Sequence, residues 1–133
     1  MTETRVLTVR TEKREQFVDI SAAISEFVRS SGVRKGLLVA FVPHTTAAVT
    51  INEGADPSVM KDIGAALGTL VPRDDPRYKH AEGNSDAHIK ASLLGSTVHI
   101  PIVDGGLMLG RWQSVFFAEF DGPRQRRVNL FLY

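Results

Sequence analysis

The chain has 133 residues, 43% of them apolar and 23% charged, and its 16 Lys and Arg against 15 Asp and Glu leave a formal net charge of +1. That size suits one domain with its own core, and the composition excludes disorder. The balanced charge lacks the basic excess of a nucleic-acid binder, and the absence of cysteine excludes disulfides, thiolate nucleophiles and cysteine zinc sites.

The segment Met1 to Arg10 alternates polar and apolar residues, without a signal-peptide apolar block, and is expected to lack a targeting signal. No apolar run approaches the roughly 18 residues of a membrane span. A cytoplasmic protein with neither nucleic-acid nor membrane partners is expected. Within this stretch Thr4 to Thr11 reads as a strand. Ile20, Ile24, Phe27 and Val28 then recur at helical spacing, with Asp19 or Ser21 as cap and Gly32 as stop. Gly36 to Val42 and Thr45 to Ile51 suit strands. Asp56-Pro57, followed by Val59, Ile63, Leu67 and Leu70, predicts a helix, in which Gly64 and Gly68 would admit another backbone.

Val71 to Gly83, rich in Pro and Asp, is a long loop of the kind that carries function. Asn84 or Ser85 caps a third helix to Leu94, stopped by Gly95. Thr97 to Val103 is a strand demoted by Pro101 to an edge or a bulge. The turn Asp104-Gly105-Gly106 leads through Leu107 to Leu109 into a strand from Arg111 to Phe120. Asp121-Gly122-Pro123 then turns into a last strand, Val128 to Tyr133. The order predicts one α+β domain over residues 1–133, an antiparallel or mixed sheet or sandwich with three helices packed on it.

Chemistry concentrates around His44, His80 and His88. Strand alternation puts His44, Thr46, Thr50 and Asn52 on one face. At about 100° per residue His88 shares a helical stripe with Ser85 and Ser92, turned away from an expected Ile89 and Leu93 core stripe. The amino end of that helix offers free backbone N–H groups to an anion. Asp86 and Lys90, four residues apart, suit an ion pair on a solvated face. Three histidines from a strand, a loop and a helix suit an open metal site, with zinc favoured by imidazole ligands and magnesium by diphosphate chemistry. Glu53 is a general base or a helix-dipole partner, and Asp56 a cap. His99 reads as surface, Asp74-Asp75 as a solvated turn, and Arg124, Arg126 and Arg127 as a charged strand edge. Trp112, Phe116, Phe117 and Phe120 read as core and subunit-interface residues.

The runs His44 to Glu53, Ala55-Asp56-Pro57, Glu82 to Gly95, Gly110 to Gln113 and Phe120-Asp121 closely resemble the YjbQ family, also labelled a secondary thiamine-phosphate synthase family. The resemblance covers nearly the whole chain in order. It implies an α+β fold, a cyclic homotrimer, and a polar pocket between subunits built by the His44, His80 and His88 segments. It also implies formation of thiamine phosphate from a pyrimidine diphosphate and a thiazole phosphate. The family commonly has Thr before the Trp-Gln pair and a basic residue after the Asp-Gly turn, where this chain has Arg111 and Gly106.

The expected site therefore has His88, Glu53, Asp86 and Asn52 as catalytic groups. Thr45, Thr46, Asn84, Ser85, Lys90 and Arg111 would bind a small phosphorylated molecule, and His44, His80 and His88 would ligate a divalent metal. The competing expectations are a metal-dependent hydrolase, with Glu53 or Asp86 as base, and a non-catalytic trimeric module that binds a small anion.

Overall fold

A computed structural model describes residues 3–133. Met1 and Thr2, at the head of the segment expected to lack a targeting signal, lie outside the described residues. β1 (Glu3–Arg10) and β2 (Gln16–Asp19) precede α1 (Ser21–Ser31), and β3 (Gly36–Phe41) and β4 (Ala47–Glu53) precede α2 (Pro57–Leu70) and α3 (Ser85–Leu94). Then follow β5 (Thr97–Val103), β6 (Gly106–Leu107), β7 (Gln113–Glu119) and β8 (Gln125–Leu132). One sheet has the order β1-β8-β3-β5-β6 and the other β2-β7-β4. Every pairing is antiparallel, which settles the sheet type of the expected α+β fold.

Period-two burial explains the layering. β8 sends Arg126, Val128, Leu130 and Leu132 inward, and Val128, Leu130 and Leu132 join a core shared by both sheets and by Ile24, Phe27 and Val28 of α1. β7 is buried on both faces. Val115 and Phe117 enter that first core, whereas Ala118 and the following Phe120 enter a second one, formed with Ala48 of β4, Leu67 of α2, and Ala87 and Ala91 of α3. The smaller sheet is thus covered on one face by the larger sheet and α1, and on the other by α2 and α3.

Local signals set several boundaries as expected. Asp56 Oδ1 accepts the Ser58 N–H at 2.9 Å with Pro57 opening α2, and Gly32 closes α1 at a φ of 75°, in the left-handed region that glycine tolerates. Pro101 pairs with Leu37 of β3, and across from it β6 has just two residues, so its missing N–H faces a nearly open edge. Other expectations need correction. β2, four residues long, was not expected, β7 starts at Gln113, and β8 starts at Gln125. No other backbone approaches Gly64 or Gly68; a Cβ at Gly64 would meet the Phe17 ring at 3.6 Å and one at Gly68 would meet nothing within 4 Å. Trp112 is 56% exposed, unlike the buried Phe116, Phe117 and Phe120.

The largest correction concerns α3. Its buried residues are Asp86, Ala87, Lys90 and Ala91, while Ile89 is 39% and Leu93 62% exposed. The helix turns its charged pair into the protein and its apolar stripe outward.

Candidate functional site

Two histidines meet at the amino end of α3. His80, in the loop before it, and His88, in its first turn, stand edge to face with ring centroids 5.3 Å apart. His80, Tyr78 and Ser85 are shared by two cavities. One, of about 390 Å³, is completed by Arg73, Asp74, Asp75, Pro76 and Gly83; the other, of about 410 Å³, by Arg77, Lys79, His88 and Ile89. The loop is tied to itself: the Tyr78 hydroxyl donates to the Pro72 carbonyl at 2.7 Å, and Arg77 Nε donates to Asp75 Oδ1 at 2.9 Å. The Arg77 side chain and backbone N–H hold the Asp75 carboxyl down to about 2. Asp75 is therefore an arginine partner and not half of a free carboxylate pair.

Asn84 caps α3 without a side-chain capping bond. Its Nδ2 donates to Asp121 Oδ2 at 2.8 Å, which leaves Oδ1 buried without a partner among the described residues. Beneath the first turn lies a buried ion cluster. Asp86 Oδ1 accepts from Arg14 Nη2 and Asp86 Oδ2 from Lys90 Nζ, both at 3.1 Å, and Lys90 Nζ also donates to Glu15 Oε1 at 3.1 Å. Burial raises the Asp86 pKa, but the bonds from Arg14 and Lys90 outweigh it and hold the carboxyl below its ordinary 3.8. Asp86 is thus a fixed anion and not a base, and Lys90, 1% exposed, is committed to carboxylates and not to a substrate. One expectation put both on a solvated face, and the other gave Asp86 a catalytic role and Lys90 a substrate contact. They and their partners lock the helix that presents His88.

His44 sits elsewhere, beside β8. Its Nε2 accepts the Arg127 N–H at 3.0 Å. Burial, and then the charges of Arg126 and Arg127, lower its pKa below the ordinary 6.5. With Nε2 occupied, the neutral ring carries its proton on Nδ1 and offers a donor, not a lone pair for a metal. Next to it Arg126, 5% exposed, pairs with the fully buried Glu119, its Nε 2.9 Å from Oε1, and its Nη2 donates to Thr46 Oγ1 at 2.8 Å. Arg126 is a core residue, not a strand-edge charge, and Thr46 is its acceptor. Thr45 is exposed.

The remaining site residues lie at the other end of β4. Glu53 Oε2 accepts the Ala55 N–H at 2.8 Å and so ties the turn into α2, and Asn52 Oδ1 accepts the Glu53 N–H at 2.8 Å. Arg111 lies over the Trp112 ring, 4.9 Å from its centroid. The seven residues of β4, at about 3.3 Å each, put Asn52 and Glu53 about 20 Å from the Thr46 end. Among the described residues no three His, Asp or Glu side chains gather closely enough to hold a metal. One chain therefore does not assemble His44, His80 and His88 into a ligand set.

The comparisons with known proteins agree with one another. The family model described as UPF0047 protein YjbQ-like matches residues 5–133. The chain belongs to the YjbQ/UPF0047 family. Among members of this family, UPF0047 protein MJ1081 of Methanocaldococcus jannaschii is 53% identical over 118 residues, which are 89% of this chain and 85% of that protein. UPF0047 protein YugU of Bacillus subtilis is 40% identical, with 92% of each chain covered. A crystal structure of a YjbQ/UPF0047 protein from Clostridium acetobutylicum superposes with a TM-score of 0.94 at 48% identity, covering 97% of this chain and 99% of that one. Hypothetical protein APE1520 from Aeropyrum pernix K1 gives 0.93 at 43% identity, with 98% of each chain covered. These YjbQ/UPF0047 names state no reaction.

Sequence reasoning missed Arg14 and Glu15, the partners of α3, and the loop cations Arg77 and Lys79 beside His80. Arg14 and Glu15 carried no signal, because they lie 72 and 75 residues from Asp86 and Lys90. Arg77 and Lys79 did carry one: they lie three residues and one residue before His80. Among the described residues no helix is long and apolar enough to cross a membrane.

Proposed function

We propose that the protein is a homotrimeric enzyme that holds a small phosphorylated substrate at the amino end of α3 and carries out thiamine-phosphate formation as a secondary activity. The observation that carries this reading is the His80–His88 pair, 5.3 Å between ring centroids, set among Ser85, Arg77 and Lys79 at a helix amino end. Cavities near 400 Å³ suit a small molecule, and a helix amino end with flanking cations suits a phosphate.

In the reaction, the C–O bond between the pyrimidine methylene and the diphosphate breaks. The thiazole nitrogen forms the new C–N bond, and diphosphate leaves with the electron pair. No protein nucleophile is needed. The α3 N–H groups and Lys79 stabilise the leaving charge, and His80 and His88 hold a proton for it. The hydrolase reading is weaker, because Asp86 is fixed by Arg14 and Lys90, and Glu53 is engaged at the α2 turn.

A metal site in one chain does not fit these residues: two imidazoles converge where a catalytic zinc takes three protein ligands. A divalent ion requires a further ligand from a second copy. The exposed Ile89 and Leu93, on the outward side of α3, support such an assembly.

The test mixes untagged protein with the pyrimidine diphosphate and the thiazole phosphate, measures thiamine phosphate and bound metal, and repeats both on His88→Ala and His80→Ala. Loss of product with unchanged melting temperature supports the site. Unchanged turnover overturns it, and phosphate binding without turnover turns the reading to an anion-binding module.

A further inference from the structure

A cavity of about 660 Å³, larger than either histidine cavity, lies between α2 and the β2 and β7 strands. Its floor is aromatic: the Phe17 ring meets Phe116 and Phe120 edge to face, with centroids 6.5 and 6.3 Å away. Met60 and the side-chain-free Gly64 form the α2 wall. The open space here follows from sequence, since a Cβ at Gly64 would project toward Phe17.

The charges around the mouth are sorted. Two carboxylates are ion-paired, Glu15 with Lys90 at 3.1 Å and Glu119 with Arg126, its Oε1 2.9 Å from Nε; the other two keep their charge and accept backbone N–H groups, Asp19 from Ser21 at 2.9 Å and Glu53 from Ala55 at 2.8 Å. Lys13 and Lys61 also line the cavity, and neither makes an ion pair among the described residues. Among the described residues these two ammonium groups are the cations of the lining without a counter-charge. An apolar cavity of this size with convergent charged donors has the make-up of a ligand site.

We infer that this cavity is a second binding site, separate from the histidine cleft, for a small amphipathic anion. The aromatic or acyl body packs on Phe17, Phe116 and Phe120, and a carboxylate or phosphate at its end meets Lys13 and Lys61. The site needs no residue of the α3 cleft, so it stands or falls independently of the proposed activity.

Calorimetric titration of the full-length protein with 4-phenylbutyrate, its neutral amide and 4-phenylbutylamine tests this. The carboxylate is expected to bind about tenfold more tightly than the amide, and the amine to bind more weakly than either, since a bond to a charged group is worth about that factor. Lys61→Gln is expected to weaken the carboxylate about tenfold and leave the amide unchanged. Ala65→Trp, at an exposed α2 position lining the cavity, is expected to abolish both, with melting temperatures reported for each variant. His88→Ala should leave all three affinities unchanged. The inference is overturned by no binding to the unaltered protein, by tighter binding of the amine, or by equal carboxylate binding in Lys61→Gln and Ala65→Trp.

Discussion

Arg126 and Glu119 form a buried ion pair, 5% and 0% exposed, and the consequences of removing one partner can be worked through. Arg126→Met leaves the Glu119 carboxylate with Thr11 Oγ1 and the Asp121 N–H as donors but without its counter-charge. Breaking a buried pair from one side costs about 3–5 kcal/mol. Unfolding entropy near the midpoint is about 2.1 cal/mol/K per residue, or about 280 cal/mol/K for this chain, so the melting temperature should fall by about 11–18 °C. Adding Glu119→Gln removes the stranded charge yet keeps an acceptor for Thr11 and Asp121. The double variant should recover at least half of the loss.

The pH dependence supplies a second readout. In the unaltered protein burial raises the Glu119 pKa, but the bonds from Arg126, Thr11 and Asp121 overcome it and hold the carboxyl below its ordinary 4.5. Its contribution to stability is therefore present above 4.5 and lost as pH falls through the folded value. In Arg126→Met burial prevails, the folded pKa rises above 4.5, and that contribution reverses: stability is lost as pH rises. Calorimetric scans from pH 4 to 7 at one protein concentration measure both effects. A fall of less than about 3 °C, a double variant no better than the single, or a pH slope of unchanged sign refutes the reasoning.

Two further outcomes follow from the inverted α3. Lys90→Met removes a charged donor from Asp86 and Glu15 and should cost about 2–3 kcal/mol in urea unfolding; a solvated-face lysine would cost less than about 0.5 kcal/mol, and that result would refute the buried placement. Leu93→Asp, at a 62% exposed position, should leave the melting temperature of the isolated chain nearly unchanged but bring the mass in light scattering from that of the proposed trimer to that of a monomer; an unaltered mass removes α3 from the assembly surface.

The sequence carries the helices and most strands because those depend on local periodicity and capping, as at Asp56-Pro57 and Gly32. It does not carry β2, since Gln16–Asp19 is four residues long and shows one alternation. Nor does it carry the orientation of α3. Periodicity assigns Ile89 and Leu93 to the core because they are apolar, and Asp86 and Lys90 to solvent because they are charged. The structure reverses this because Arg14 and Glu15 arrive from far along the chain to neutralise the pair, something no local pattern encodes. Arg126 is mistaken for the same reason: its charge suggests a solvated edge, whereas its place in the period-two series with Val128 and Leu130 carries it inward to Glu119.

The candidate site is legible as residue types but not as geometry. His80 and His88 are eight positions apart, and a loop followed by a helix start brings them together. His44, just ahead of β4, is engaged by the Arg127 N–H, and Glu53 stands at the far end of that strand. A strand of seven residues cannot bring its two ends to one point, so His44 and Glu53 act in one reaction only if copies of the chain are arranged so that the end of one β4 faces the beginning of another. The outward Ile89 and Leu93, one and five residues beyond His88, are the surface on which such an arrangement would close. This makes oligomeric state and chemistry a single question: a variant that separates the copies without unfolding them should lose every step that needs both ends of β4, while keeping the anion affinity of the His80–His88 cleft.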